Sequence, residues 1–260
     1  MEHNNLLIVS GEPTGGHFVP TFSFISISGT LLIMKETIGT LYIVATPIGN
    51  MEDITLRALR IMREVDYVLC EDTRTTGNLL KHHGVKAKLK RYDAHASVVA
   101  HVAIVADLVA GQSVALVSDA GTPGVSDPGV MLVRQARKAG IRINAIPGAS
   151  SITAAISIAG VSGNQFSFLG FVPSKKGRET FFADLELYDH PVVFLEATHR
   201  ILKTLESLAV GYPDATIYLG RELTKLYEEM LVGSPAEVLA ILLASSVKQK
   251  GEFVIILSHH

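Results

Sequence analysis

The side chains able to do chemistry in this sequence stand just beyond short apolar runs. Glu71, Asp72 and Arg74 follow Tyr67-Val68-Leu69-Cys70, and His199 and Arg200 follow the run that ends at Leu195. Lys175, Lys176 and Arg178 cluster after Pro173, a pattern that suits a phosphate contact or a solvated loop. The stretch most suggestive of a ligand site is Val114 to Gly129, VALVSDAGTPGVSDPG. Four apolar residues run straight into Ser118, Asp119, Ala120, Gly121, Thr122 and Pro123, and then into a second turn at Ser126-Asp127-Pro128-Gly129. Glycine lets backbone approach a ligand closely, and proline fixes the loop beforehand. Each charged candidate has a plainer reading beside the chemical one. Asp72 or Thr73 can cap a helix, Asp119 and Asp127 can bond their own turns, and the cations can simply face water.

Motif absences narrow the ligand. The sequence has no GxxxxGK[ST] loop and no GxGxxG after its first strand, where Thr46 to Asn50 supplies one glycine. The loops are Gly/Pro-rich with few cations, so they suit a ligand gripped by main-chain groups without a phosphate to neutralise. No Cys/His cluster has zinc spacing, and no metal is expected. Cys70, the single cysteine, lies in an apolar run and reads as a small buried hydrophobe. It excludes an intrachain disulfide and fits a reducing, cytoplasmic setting.

These loops need strands to deliver them and helices to follow. Leu41–Ala45, Tyr67–Cys70, Val114–Val117 and Ile141–Ile146 read as strands. They end in TPIGN, EDTR, SDAGTP and PGAS, each leading to a helical stretch. One of these, Val98–Ala110, is expected to face the core through Val98, Val102, Val105 and Leu108 or Val109. This alternation predicts an α/β fold with a parallel sheet covered on both faces, its polar turns gathered at one edge. Beyond a linker at Gly160–Asn164 the texture changes, and a second α/β domain with a mixed sheet is expected. The division is 39–160 and 161–258, with residues 1–38 as an extension outside the fold. Met1–His17 has no Lys or Arg, and Phe18–Ile33 is broken by Pro20, three serines and Gly29, so neither a signal peptide nor a membrane span is read there. Met34 is a candidate true start. With 260 residues, 48% hydrophobic, 18% charged and a net charge of −2, the chain has ample core material, and it is not a basic nucleic-acid coat.

Taken in order, VATPIGNMEDITLRAL, CEDTRTTGNLL, SDAGTPGVSDPG, IPGASS, FLGFVPSKKGR, LEATHR, GRELTKLYEE and KGEFV resemble the tetrapyrrole methylase superfamily. Within it they resemble the 16S ribosomal RNA cytidine 2′-O-methyltransferase family, over Gly39 to Leu257. The resemblance implies S-adenosylmethionine as cofactor, a homodimer of two-domain α/β subunits, and 16S RNA of the small ribosomal subunit as substrate. It carries cofactor contacts onto Pro47, Ile48 and Gly49, onto Ser118, Asp119, Ala120, Gly121, Thr122 and Pro123, onto Val125 and Ser126, and onto Pro147, Gly148 and Ser150. A ribose hydroxyl is a weak acid that a carboxylate or histidine could deprotonate, and Glu71 and Asp72 are the candidates, with Asp53 behind them. Arg74, Lys175, Lys176, Arg178, His199 and Arg200 are the implied RNA contacts. Two departures stand out. Thr198 replaces a proline common in the family, and no helical tail follows His260, from which weaker RNA engagement is expected. A tetrapyrrole methyltransferase and a non-catalytic RNA-binding relative are the competing readings.

Overall fold

The computed structural model describes residues 38–94, 96–161 and 164–259. Apart from Ile38, the expected extension over 1–38 and the candidate start at Met34 lie outside the described residues. From Ile38 onward the chain builds two five-stranded sheets.

The first sheet contains β1 (Thr40–Val44), β2 (Tyr67–Cys70), β3 (Leu89–Arg91), β4 (Val114–Val117) and β5 (Arg142–Ile146). Between them run α1 (Leu56–Glu64), α2 (Thr73–His82), α3 (Val98–Val109) and α4 (Val130–Lys138). The strand order is β3-β2-β4-β1-β5, all parallel. Alternate side chains go to opposite faces, as the pleat demands. Val68, Cys70, Ala115 and Val117 pack with Ala58, Ile61 and Met62 of α1 and Leu80 of α2. Tyr67, Leu69, Val114 and Leu116 pack with Ile104 and Leu108 of α3 and Leu132 and Ala136 of α4. A sheet buried on both faces explains why β2 and β4 read as unbroken apolar runs.

Two sequence expectations are corrected here. Strand β3 is absent from the sequence reading; its Leu-Lys-Arg is a short edge strand with no apolar run to announce it. The buried face of α3 is His101, Ile104 and Leu108, whereas Val98, Val102 and Val109 face outward. Helix α3 is apolar nearly all round, so its period does not select a face. His101 decides it: the ring bonds Tyr92 Oη at 2.9 Å and the Ser97 carbonyl at 2.9 Å, and burying it turns the valines out.

Helix α5 (Ser151–Ala159) follows β5, and the chain then enters the second sheet. That sheet has β6 (Ser167–Phe171), β7 (Val192–Glu196), β8 (Thr216–Arg221), β9 (Glu229–Gly233) and β10 (Phe253–Ser258). Its order is β6-β7-β10-β8-β9, with β6 and β7 parallel and the remaining pairs antiparallel. Helices α6 (Arg178–Ala183), α7 (Ile201–Gly211) and α8 (Pro235–Leu243) complete it. Residues of α6, α7 and α8 cover one face, with Phe194, Leu205, Val238 and Ile255 in that core. The opposite face receives α5: Ala155 and Ala159 pack with Val193, Val254 and Ile256, and Ile48 from the first sheet's β1 loop joins them. The small residues of α5 allow this close approach, so a helix continuous with the first half of the sequence supplies core to the second sheet. That packing holds the β1 loop and the second sheet against one another.

Candidate functional site

β1 and β4 are neighbours, and the chain leaves them in opposite directions, from β1 towards β2 and from β4 towards β5. In a parallel sheet that is where a crevice opens beyond the strand ends. The loops there are stitched together by main-chain and side-chain bonds. Thr46 N–H donates to Gly121 O at 2.9 Å, and Gly121 N–H donates to Thr46 O at 3.1 Å. The buried Thr46 hydroxyl donates to Ser118 O at 3.0 Å. Thr122 Oγ1 donates to Ala149 O at 3.4 Å, and Asp72 N–H donates to Asp119 Oδ1 at 3.2 Å. All four turns therefore meet on one rim. Gly121 has φ +78°, and a Cβ there would sit 3.4 Å from Ile48 Cγ2. A Cβ on Gly148 would lie 2.9 Å from that of Ala45.

The rim bounds a cavity of about 460 Å³. Ile48, Ala120, Gly121, Thr122, Val125, Ser126 and Ser150 line it from the first sheet. Phe171, Leu195, Glu196, Ala197, Thr198 and His199 face them from the second, with Gly251 to Val254. Next to it is a smaller cavity of about 220 Å³, reached across Ile48 and Ala120, with Pro47, Gly49, Ser118 and Asp119 in its wall. The residues implied as cofactor contacts thus divide between two adjacent cavities. Pro123, Pro147 and Gly148 line neither, and shape the loops from behind.

The carboxylates separate by environment. Asp72 caps α2, accepting from Arg74 N–H at 2.8 Å, and the Arg74 guanidinium clamps it at 2.7 Å. That clamp first, and the cap second, hold its carboxyl down at about 2. Glu71 differs: partial burial, then the charges of Asp127 and Asp119, push it above the usual range. Asp127 lines the large cavity, and burial together with the charge of Asp119 raises it, against a bond from Ser118. The sequence reading left Asp127 to its own turn; only the fold shows that this turn folds back onto the cavity.

A carboxyl that holds its proton more tightly when folded lends stability at low pH that is lost as pH rises through its folded pKa. Asp127→Asn is therefore expected to melt above the parent protein at pH 8, with the gap closing towards pH 4. Calorimetric melting at the two pH values checks this, and a gap independent of pH would contradict it.

The cations also separate. Arg74 is exposed, with 88% of its side chain open to solvent. Lys175 and Lys176 line an open groove of about 600 Å³ with Arg178 and with Lys203, which the sequence reading missed. Arg178 and Arg200 turn inward onto Glu196, a fully buried carboxylate, at 3.4 and 2.7 Å. Thr204 donates to the same carboxylate, and Ala197 N–H does so at 2.7 Å. Glu196 thus engages both arginine head groups, while Arg178 still contributes to the lining of the groove. His199 is exposed and lines the mouth of the large cavity. Thr198 compensates for the missing proline: its hydroxyl donates to Gly251 O and ties the β7 turn to the β10 entry.

A main-chain rim, apolar walls and the carboxylates Asp127 and Glu252 suit a ligand with positive charge and no phosphate. The volume falls in the range of roughly 300–1,000 Å³ usual for small-molecule pockets. A model of the tetrapyrrole (corrin/porphyrin) methylases matches residues 40–239, and the chain belongs to that family. Solved structures share its fold. Diphthine synthase superposes with a TM-score of 0.66 at 16% identity, covering 85% of this chain and 90% of the other. Uroporphyrin-III-C-methyltransferase from Thermus thermophilus gives 0.60 at 20% identity, with 85% and 94% covered. Within the family, the chain is 44% identical over 220 residues to the ribosomal RNA small subunit methyltransferase I of Neisseria meningitidis serogroup A, covering 84% of this chain and 76% of that protein. It is 43% identical over 224 residues to the protein of that name from Escherichia coli O157:H7, covering 85% and 78%.

Proposed function

We propose that this chain methylates the ribose 2′-hydroxyl of a cytidine in the decoding region of 16S ribosomal RNA, within the small ribosomal subunit, using S-adenosylmethionine. The observation that carries the reading is the joining of Thr46 to Gly121 by paired main-chain bonds, and of Thr122 to Ala149 through the threonine hydroxyl, around one cavity. The name borne by relatives at 41–44% identity supplies the substrate class. Ile48, Ala120, Gly121, Thr122, Val125, Ser126 and Ser150 would hold the cofactor. When bound, it supplies a methyl carbon already activated by a positively charged sulfur. The protein's part is to align the ribose oxygen with that carbon and to exclude competing geometries.

Of the two candidate bases, neither lines either cavity, and Glu71 is the one whose carboxylate is not taken up by a neighbouring cation. Asp72 at about 2 is a weak proton acceptor, and its oxygens are taken by Arg74 and the α2 cap. Glu71→Gln is expected to lower kcat about tenfold, less than the ~10²–10⁴ usual for general-base catalysis, because the carbon is already activated. Asp72→Asn should leave kcat within about threefold. Single-turnover methyl transfer reads both, and unchanged kcat in Glu71→Gln would remove Glu71 from the reaction. Lys175, Lys176, Lys203 and Arg74 are the cations placed to hold RNA phosphate.

The tetrapyrrole alternative fits less well. The two cavities present Asp119, Asp127, Glu196 and Glu252 against His199 and Lys225. A substrate rich in carboxylates would meet an acidic wall. Labelled methyl transfer to purified small subunits, followed by nucleoside analysis of the RNA, tests the reading. A 2′-O-methylcytidine product supports it; methylation of a precorrin and not of the subunit overturns it.

The expected homodimer has a candidate face. Helix α3 packs on α4, and between them they expose Val98, Val99, Val102, Val109, Val130 and Met131. Val102→Asp with Met131→Asp is expected to shift the protein from dimer to monomer in sedimentation equilibrium. A parent protein that sediments as a monomer would contradict this. Among the described residues no helix is long and apolar enough to cross a membrane. A cytoplasmic location goes with the proposed ribosomal substrate.

A further inference from the structure

The cofactor assignment above fills only the larger cavity, although Pro47, Gly49, Ser118 and Asp119, carried over as cofactor contacts, line the smaller one. At about 220 Å³ it lies below the roughly 300 Å³ where pockets for drug-sized ligands begin, so it does not suit a second cofactor. It is of a size for a single base. Its walls are of two kinds: Pro47, Met51 and Leu79 offer apolar surface, and Thr75, Asp119 and Lys225 offer polar groups.

Lys225 comes from the β8–β9 connection and reaches over the β1 loop. A Cβ on Gly49 would meet Lys225 Cγ at 2.4 Å, so the glycine is what lets the lysine stem cross. Its ammonium is held by Glu222 at 2.9 Å and Glu252 at 3.3 Å. Partial burial pulls Lys225 down, but the Glu222 bond and the Glu252 charge outweigh it, so the group stays a donor and is no base. The connection is strained: Glu222 and Thr224 have φ of +49° and +65°. Thr224 Oγ1 is buried beside Gly49 and has no partner. Strain of this kind collects at ligand clamps.

Resting on the rRNA reading above, we propose that this cavity receives the base of the target nucleoside, turned out of the RNA strand, with Lys225 holding the base and Asp119 selecting cytosine. A turned-out base is read by hydrogen bonds to its edge and by packing on its faces. Lys225 donates to the O2 carbonyl, which cytosine and uracil share. Asp119 accepts from the 4-amino group of cytosine; uracil has a carbonyl at that place and would meet the carboxylate acceptor to acceptor. The Asp72 N–H bond to Oδ1 fixes the Asp119 carboxylate for this task. Arg74, adjacent to Thr75 and exposed, is placed for the flanking phosphate. The cofactor cavity lies just across Ile48 and Ala120, so the ribose would stand between the two.

The test uses small subunits reconstituted with cytidine or uridine at the position the parent enzyme methylates. The parent is expected to favour cytidine at least about tenfold in kcat/KM, and Asp119→Asn, whose amide can both donate and accept, to narrow the ratio below about threefold. The ratio compares two substrates on one preparation, so partial unfolding cancels. Lys225→Met is expected to lower kcat/KM at least about tenfold on both substrates, with the calorimetric Kd for S-adenosylmethionine unchanged within twofold. An Asp119→Asn ratio equal to the parent's, or a Lys225→Met Kd that rises in step with lost transfer, overturns the proposal. A parent enzyme that methylates no subunit at all instead overturns the reading on which it rests.

Discussion

Glu196→Leu is expected to lower the unfolding free energy by about 3–5 kcal/mol, the cost of stripping the partner from a buried ion pair. The Glu196 side chain has no solvent exposure, and the two arginine side chains it pairs with are 11% and 18% exposed. Without it two positive charges would share a buried corner, with Thr204 Oγ1 and the Pro173 and Val172 carbonyls as their remaining partners. Arg200 Nε already has no partner, so the corner has no slack to absorb the loss. Glu196→Gln should fall between, since an amide keeps two acceptor lone pairs but no charge. Urea unfolding at constant m measures both. A loss below about 1 kcal/mol for the leucine variant would show that the arginines find other partners. The cluster matters beyond stability. Arg178 lines the basic groove with Lys175 and Lys176, and Glu196 lines the large cavity, so one carboxylate anchors both the groove and a wall of the site.

The largest effect on ligand uptake is expected from Gly121→Val. At φ +78° a β-branched residue is strongly disfavoured, and the branches beyond a Cβ already in contact with Ile48 at 3.4 Å would crowd that side chain. Relief of either contact moves the Thr46–Gly121 pair, which joins the β1 and β4 loops. The affinity for S-adenosylmethionine should fall at least about a hundredfold, ~2.7 kcal/mol. The sheets lie outside this contact, so the far-ultraviolet circular dichroism should stay that of the parent. Titration calorimetry reads the loss. Affinity within threefold of the parent would mean that Gly121 is not at the binding rim.

Much of this site is legible in the sequence because proline and glycine mark where strands stop. TPIGN, SDAGTP and PGAS each follow an apolar run, and in a parallel sheet such stops share an edge. What the sequence hides is where side chains point once the second sheet arrives. Arg178 and Arg200 look like surface cations until Glu196 is placed between them. Asp127 looks like a turn residue until its turn folds back on the cavity. Lys225 sits in a motif with no chemical signature of its own, and only the closeness of Gly49 shows that it crosses the β1 loop. The outward valines of α3 were misread for the opposite reason: too many apolar residues leave periodicity nothing to choose between.

One determination bears most directly on the whole account: a crystal structure of the full chain with S-adenosylhomocysteine. The expected result is the nucleoside in the 460 Å³ cavity, held by main-chain atoms of Gly121, Thr122 and Ser150, with its sulfur directed across Ile48 and Ala120 towards Asp119 and Lys225. Density for the nucleoside away from that rim, or calorimetry in which the ligand does not bind at all, would contradict it.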